Sequence, residues 1–266
     1  MTQRPLEGKW ALVTGSTRGL GRTIAEWLAD AGASIIVTGR DQAAVDDSIA
    51  AVTSRGVEAI GFPADLSSID DSHRLAEAAI AASPNGIDIL VNNAGMSIRS
   101  AFWDVSDEEF EYQINVNVRS PFVLAQHMAR QMIERQIQGR IINISTIGVH
   151  SCHKDAMVYN LAKAGVEAMT KNMSFELGPF GISVNCVAPG NIALRPGTVE
   201  ADWFPGAINA VPLGRVGHAE DIAAAVRFFC LPESAYTTGQ TLLVDGALGS
   251  YLPEFYTEPV NPRRHL

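Results

Sequence analysis

Apolar and polar positions follow two rhythms along this chain. Short, nearly continuous apolar runs recur at WALVTG (10–15), SIIVTG (34–39), VEAIGF (57–62), IDILVNN (87–93), RIINIS (140–145), ISVNCVA (182–188) and TLLVDG (241–246). They are rich in β-branched residues and bounded by Gly, Pro or Asn, the pattern of strands buried on both faces. Longer stretches between them, such as LGRTIAEWLADAG (20–32) and DDSHRLAEAAIAA (70–82), repeat apolar positions at helical spacing. In the first, Ile24 and Leu28 share a face, and Gly32 is placed to end the helix. Seven strands alternating with helices predict an α/β fold: one doubly wound parallel sheet with helices on both faces. Neither a proline-rich linker nor a repeat divides the chain, so residues 1–249 read as a single domain and 250–266 as a C-terminal tail. Ligands of such sheets bind outside the carboxyl ends of the strands.

The segment TGSTRGLG (14–21) joins the first strand to the first helix. Gly15 permits a tight turn, Gly19 lets a diphosphate approach the backbone, and Gly21 lets helix and strand pack closely, with Leu20 opening the helix. A helix N-terminus there points free N–H groups at phosphate. This makes the sheet a Rossmann-type dinucleotide binder. The second strand ends VTGRD, with Arg40 after Gly39, and Arg18 lies inside the glycine loop. Two guanidiniums aimed at one place suit a 2′-phosphate, which favours NADP (NADPH) over NAD. Asp41 is the alternative ribose ligand, or else the cap of the next helix.

AMVYNLAKAG (156–165) sets Tyr159 and Lys163 one helical turn apart on one face. An ammonium beside a phenol stabilises the phenolate and lowers a pKa that starts near ~10, allowing proton exchange near neutrality.

Taken together, the glycine loop, NNAG (92–95) and Y-x-x-x-K resemble the short-chain dehydrogenase/reductase family, from about Leu6 to Gly246. The resemblance implies that Asp65 of ADLS binds the adenine amino group, with Leu66 beside it. It implies that Asn92, Ala94 and Gly95 pass beneath the cofactor, and that Pro189, Gly190 and Ile192 of VAPGNI lie beside the nicotinamide carboxamide. Tyr159 becomes the proton donor or acceptor. Lys163 lowers its pKa and bonds the nicotinamide ribose, and Asn117 of NVNVRSPF holds the water of a proton relay. The implied activity is hydride transfer between a nicotinamide cofactor and a carbonyl or secondary alcohol. The alternative is a non-catalytic dinucleotide-binding sensor on the same fold.

Two departures from the family pattern stand out. Counting thirteen residues back from Tyr159, where the family has a serine, gives Thr146, with Ser145 just before it. Successive strand side chains face opposite ways, so a regular strand offers only one of them; spacing favours Thr146, and a bulge would favour Ser145. After the Pro-Gly turn, Leu194 stands where the family often has a threonine.

Composition narrows the partners. The 266 residues are 47% hydrophobic and 18% charged, enough for a packed core, and the net charge of −9 disfavours nucleic acid and anionic lipid. It also counts against an acidic carrier protein as delivering partner. Three scattered cysteines and no apolar leader or membrane-spanning run lead us to expect a cytoplasmic protein with no membrane partner. His150, Cys152 and His153 fit no zinc spacing, so no metal is expected. The substrate is expected to be a small carbonyl or alcohol compound. It would be enclosed by residues 191–214, with Trp203 and Phe204 as a roof and Arg195 as an anion ligand, while His150, His153 and Met157 are further candidates to line the cleft. Tyr251, Phe255 and Tyr256 in the tail suit contact with a neighbouring subunit, as expected of a homotetramer.

Overall fold

The computed structural model describes residues 4–194 and 208–250. Arg195, Trp203, Phe204 and the tail aromatics therefore lie outside the described residues. The seven apolar runs form β1 (Trp10–Val13), β2 (Ser34–Gly39), β3 (Ala59–Pro63), β4 (Ile89–Asn92), β5 (Arg140–Ile144), β6 (Ser183–Pro189) and β7 (Thr241–Val244). They make one parallel sheet in the order β3-β2-β1-β4-β5-β6-β7.

The helices are α1 (Gly19–Asp30), α2 (Gln42–Thr53), α3 (Ile69–Ala82), α4 (Asp107–Ile114), α5 (Ser120–Glu134), α6 (Met157–Leu177) and α7 (Ala219–Cys230). A further parallel pair, Ile192–Ala193 with Gly217–His218, lies beside the main sheet. Two-residue strands carry no apolar rhythm, which is why the pattern did not predict it.

Strand alternation sorts the core into two halves. Val13, Val37, Val91 and Ile142 pack with Ile24 and Leu28 of α1 and Ile222 and Val226 of α7. Leu12, Ile36, Leu90 and Ile141 face Leu75 of α3 and Leu124 and Met128 of α5. Burying each such side chain is worth about 1.5–3 kcal/mol, which is what holds the helices on the sheet.

From β1 the chain winds outward through β2 to β3, then crosses back to β4 on the other side of β1. The crevice above the β1/β4 boundary is the switch point where ligands of such sheets bind. Close packing there depends on Gly21. A Cβ at this position would lie 2.2 Å from the Gly15 carbonyl oxygen and 2.4 Å from Asn93 Nδ2. Gly21→Ala is expected to destabilise the fold by about 1–3 kcal/mol through overpacking, read as a lower urea midpoint with unchanged slope.

Candidate active site

A cleft of about 690 Å3 runs along the carboxyl edge of the sheet. Its centre is built by β1 and β4. The Thr14 hydroxyl accepts hydrogen bonds from the backbone N–H groups of Asn93 and Ala94, both at 2.9 Å, and donates to the Val91 carbonyl at 3.3 Å. Asn93 Nδ2 returns a bond to the Thr14 carbonyl at 2.8 Å. On the other side Ser16 ties the loop to β2, accepting from Thr38 N–H at 3.1 Å.

The glycine loop lies open on this frame. Gly15 and Gly19 have φ of +64° and +52°, conformations that disfavour any side chain. Gly15, Arg18, Gly19, Leu20 and Gly21 all border the cleft, as do Arg40 and Asp41 at its outer end. Both guanidiniums are exposed, and among the described residues neither has a carboxylate partner. Asp41 accepts from Ala44 N–H at 2.8 Å and so caps α2.

Two features fit a nicotinamide dinucleotide. Helices α2, α3 and α4 are capped by the side chains of Asp41, Ser68 and Ser106, whereas α1 begins without a side-chain cap. Its first N–H groups are thus left for a diphosphate. Thr38 Oγ1 borders the same cleft, buried and without a partner among the described residues. Asp65 and Leu66, Ala94 and Gly95, and Pro189, Gly190 and Ile192 also border the cleft. One Asp65 oxygen is held by the backbone and hydroxyl of Ser67, at 3.0 and 2.9 Å.

Asn92 departs from its expected place. Its amide donates to Asn143 Oδ1 at 2.9 Å inside the sheet, because strand alternation turns it inward; Asn93 borders the cleft instead.

Asn117 Nδ2 donates to the carbonyls of Met96 and Gln113, both at 2.8 Å, and its Oδ1 accepts from Met96 N–H at 3.1 Å. Both hydrogens of the amide are therefore committed to protein. The Gln113 carbonyl is the i−4 acceptor that a regular helix would give to the backbone, and residues Asn115–Arg119 accordingly form a π turn. Gln113 Oε1 accepts from Ile98 N–H at 3.0 Å, so two buried amides brace the segment that forms the cleft wall.

At the end of β5 the two hydroxyls part. Ser145 Oγ donates to Glu167 at 2.6 Å, although Ser145 and Thr146 both border the cleft. Thr146, in extended conformation, accepts from Gly148 N–H at 3.2 Å and interacts with the Tyr159 phenol. Accepting from Gly148 leaves the Thr146 proton to be donated to the Tyr159 phenol, or to a ligand oxygen that takes the phenol's place. Met96, Ser97, Tyr112, Val116 and Leu194 also border the cleft. His150 turns to Glu167, and His153 packs against Gly148. Among the described residues no three His, Cys, Asp or Glu side chains gather as metal ligands.

The electrostatics differ from expectation. Burial pushes the Tyr159 phenol above its ordinary value, and Thr146 pulls it part of the way back. Lys163 does not bond the phenol: its ammonium donates to the Ile144 carbonyl at 2.8 Å and lies 5.8 Å from the ring centroid. Burial lowers Lys163 itself from 10.5 to about 8. Between those values the unfolded chain binds the extra proton, so stability rises with pH across that window. Denaturant titrations at about pH 7 and pH 10.5 should show wild type gaining about 3 kcal/mol relative to Lys163→Met.

Comparison with known proteins agrees with this geometry. A family model described as enoyl-(acyl carrier protein) reductase matches residues 15–248. A 3-oxoacyl-(acyl-carrier-protein) reductase of Aquifex aeolicus is 38% identical over 247 residues, covering 91% of this chain and 98% of its own. The solved structure of a variant short-chain dehydrogenase/reductase of Serratia marcescens superposes with a TM-score of 0.86 at 32% identity, covering 92% of this chain and 99% of its own. A blue fluorescent protein from a metagenomic library, solved with NADPH, also gives 0.86, at 31% identity and the same coverage of 92% and 99%. With these likenesses spanning fold, cleft and motifs, the chain belongs to the short-chain dehydrogenase/reductase family and is a nicotinamide-dependent oxidoreductase.

Proposed function

We propose that this enzyme interconverts a carbonyl compound and its secondary alcohol with NADP(H), using Tyr159 as proton donor and acceptor. The observation that carries the reading is the meeting of Thr146, Tyr159 and Lys163 in the cleft that also holds the glycine loop. When bound, the nicotinamide supplies the hydride equivalent that no side chain can.

The chain's own residues do the rest. The Thr146 hydroxyl donates to the substrate oxygen and fixes it beside Tyr159, which gives its proton to that oxygen during reduction and takes it back during oxidation. Burial keeps the phenol protonated, so Tyr159 enters the reducing direction as an acid. Lys163 holds the ribose hydroxyls and places positive charge behind the ring, favouring the phenolate left after transfer. Arg18 and Arg40, exposed at the adenosine end, take the 2′-phosphate.

Tyr159→Phe should keep NADPH binding, followed by nucleotide fluorescence, while turnover measured at the reduced-nicotinamide absorbance band falls by about 10²–10⁴. Unchanged turnover would remove Tyr159 from the chemistry. Replacing Arg18 and Arg40 together by Ala should raise the Kd for NADPH at least ~10-fold and leave that for NADH within ~3-fold. Equal losses for the two nucleotides would overturn the NADP assignment.

A further inference from the structure

Three consecutive residues at the end of β5 are gripped from α6 by three side chains spaced four apart. Lys163 Nζ holds the Ile144 carbonyl at 2.8 Å, Glu167 holds the Ser145 hydroxyl at 2.6 Å, and Tyr159 meets Thr146. Residues 159, 163 and 167 fall on one helix face, so this register follows from the helical repeat. Beyond Thr146 the chain turns through a short 3-10 segment, Ile147–Val149, and comes back at His150. His150 Nε2 lies 3.2 Å from the same Glu167 Oε1 that accepts from Ser145. One carboxylate oxygen therefore pins both ends of the turn that carries Thr146.

We infer that Glu167 is a positioning residue, which holds the Thr146 hydroxyl against Tyr159 by clasping Ser145 and His150. The inference rests on the role proposed for Thr146. Glu167 is 9% exposed and Ser145 2%. A buried carboxylate is costly unless it is fully engaged, and an apolar side chain at this helix position would fill the same space without that cost. What an apolar side chain cannot do is accept two hydrogen bonds from the turn. Nor can Thr146 fix itself. Its described backbone-directed bond is the one it accepts from Gly148, which belongs to the turn and moves with it.

The test reads the Tyr159 phenol directly, by NMR titration of full-length protein carrying 13Cζ-labelled tyrosine. The signal is assigned by its loss in Tyr159→Phe. Thr146→Ala should raise the Tyr159 titration midpoint, because it removes the hydroxyl that lowers it. Glu167→Leu should raise it by a similar amount, and Glu167→Leu with Thr146→Ala should raise it no further than Thr146→Ala alone. The direction is diagnostic: deleting a nearby negative charge would by itself favour the phenolate and lower the midpoint. Glu167→Gln keeps the accepting oxygen and should leave the midpoint at or below the wild-type value. Ser145→Ala, a smaller change, should move it in the same sense as Glu167→Leu, and it decides the matter if Glu167→Leu does not fold.

A midpoint unmoved by Thr146→Ala would overturn the contact between Thr146 and Tyr159, and with it the inference about Glu167; the role of Thr146 toward substrate is read separately from the turnover of Thr146→Ala. A midpoint moved by Thr146→Ala but not by Glu167→Leu or Ser145→Ala would overturn the inference about Glu167 and leave Thr146 in place. Additive shifts in the double variant would likewise show that Glu167 does not act through Thr146.

Discussion

A parallel sheet delivers all its strand ends to one edge, where backbone groups run out of ladder partners and something else must satisfy them. At the β1/β4 boundary that partner is the Thr14 hydroxyl, which takes two N–H groups from the chain leaving β4 and gives its proton to Val91. The adjoining strands are sewn together at the point where their connections diverge. The glycine loop can then lie open because the residues on either side of Gly15 are anchored, Thr14 to the chain leaving β4 and Ser16 to β2. Every other part of the cleft is placed relative to this seam.

The same need for partners shapes the catalytic side. The end of β5 has no strand to continue into, and α6 supplies the missing contacts from Tyr159, Lys163 and Glu167. Burial then sets the proton chemistry. It disfavours the charged form of each group, so the phenol moves up and the ammonium moves down toward neutrality. The two shifts have one cause and opposite signs. They bring a lysine into the neutral range while keeping the tyrosine an acid.

Much of this was readable in the chain. All seven strands fall within two residues of the apolar runs that predict them, since buried parallel strands leave a continuous apolar signature. The glycine loop, Arg18, Arg40 and the Tyr159–Lys163 pair were legible because each lies within one short segment whose geometry is local. Asn92 was misplaced because alternation carries its side chain inward while its neighbour Asn93 faces the cleft. The π turn around Asn117, braced by its own amide, is one that no sequence pattern announces. Thr14, Gln113 and Glu167 escaped notice. Each works through a partner 15 to 80 residues away, and the only local sign was a polar residue on an otherwise buried face.

The sequence by itself determined the sheet, the order of its motifs and the types of chemistry at its edge, because hydrophobic periodicity and turn glycines act over a few residues. Which partner each hydroxyl at the end of β5 takes was decided only by the tertiary structure, which gives Ser145 to Glu167 and Thr146 to Tyr159. The sign of the Tyr159 shift was decided there as well. A pKa answers to the charge and solvent around a group, and these are set by elements brought together from distant parts of the chain.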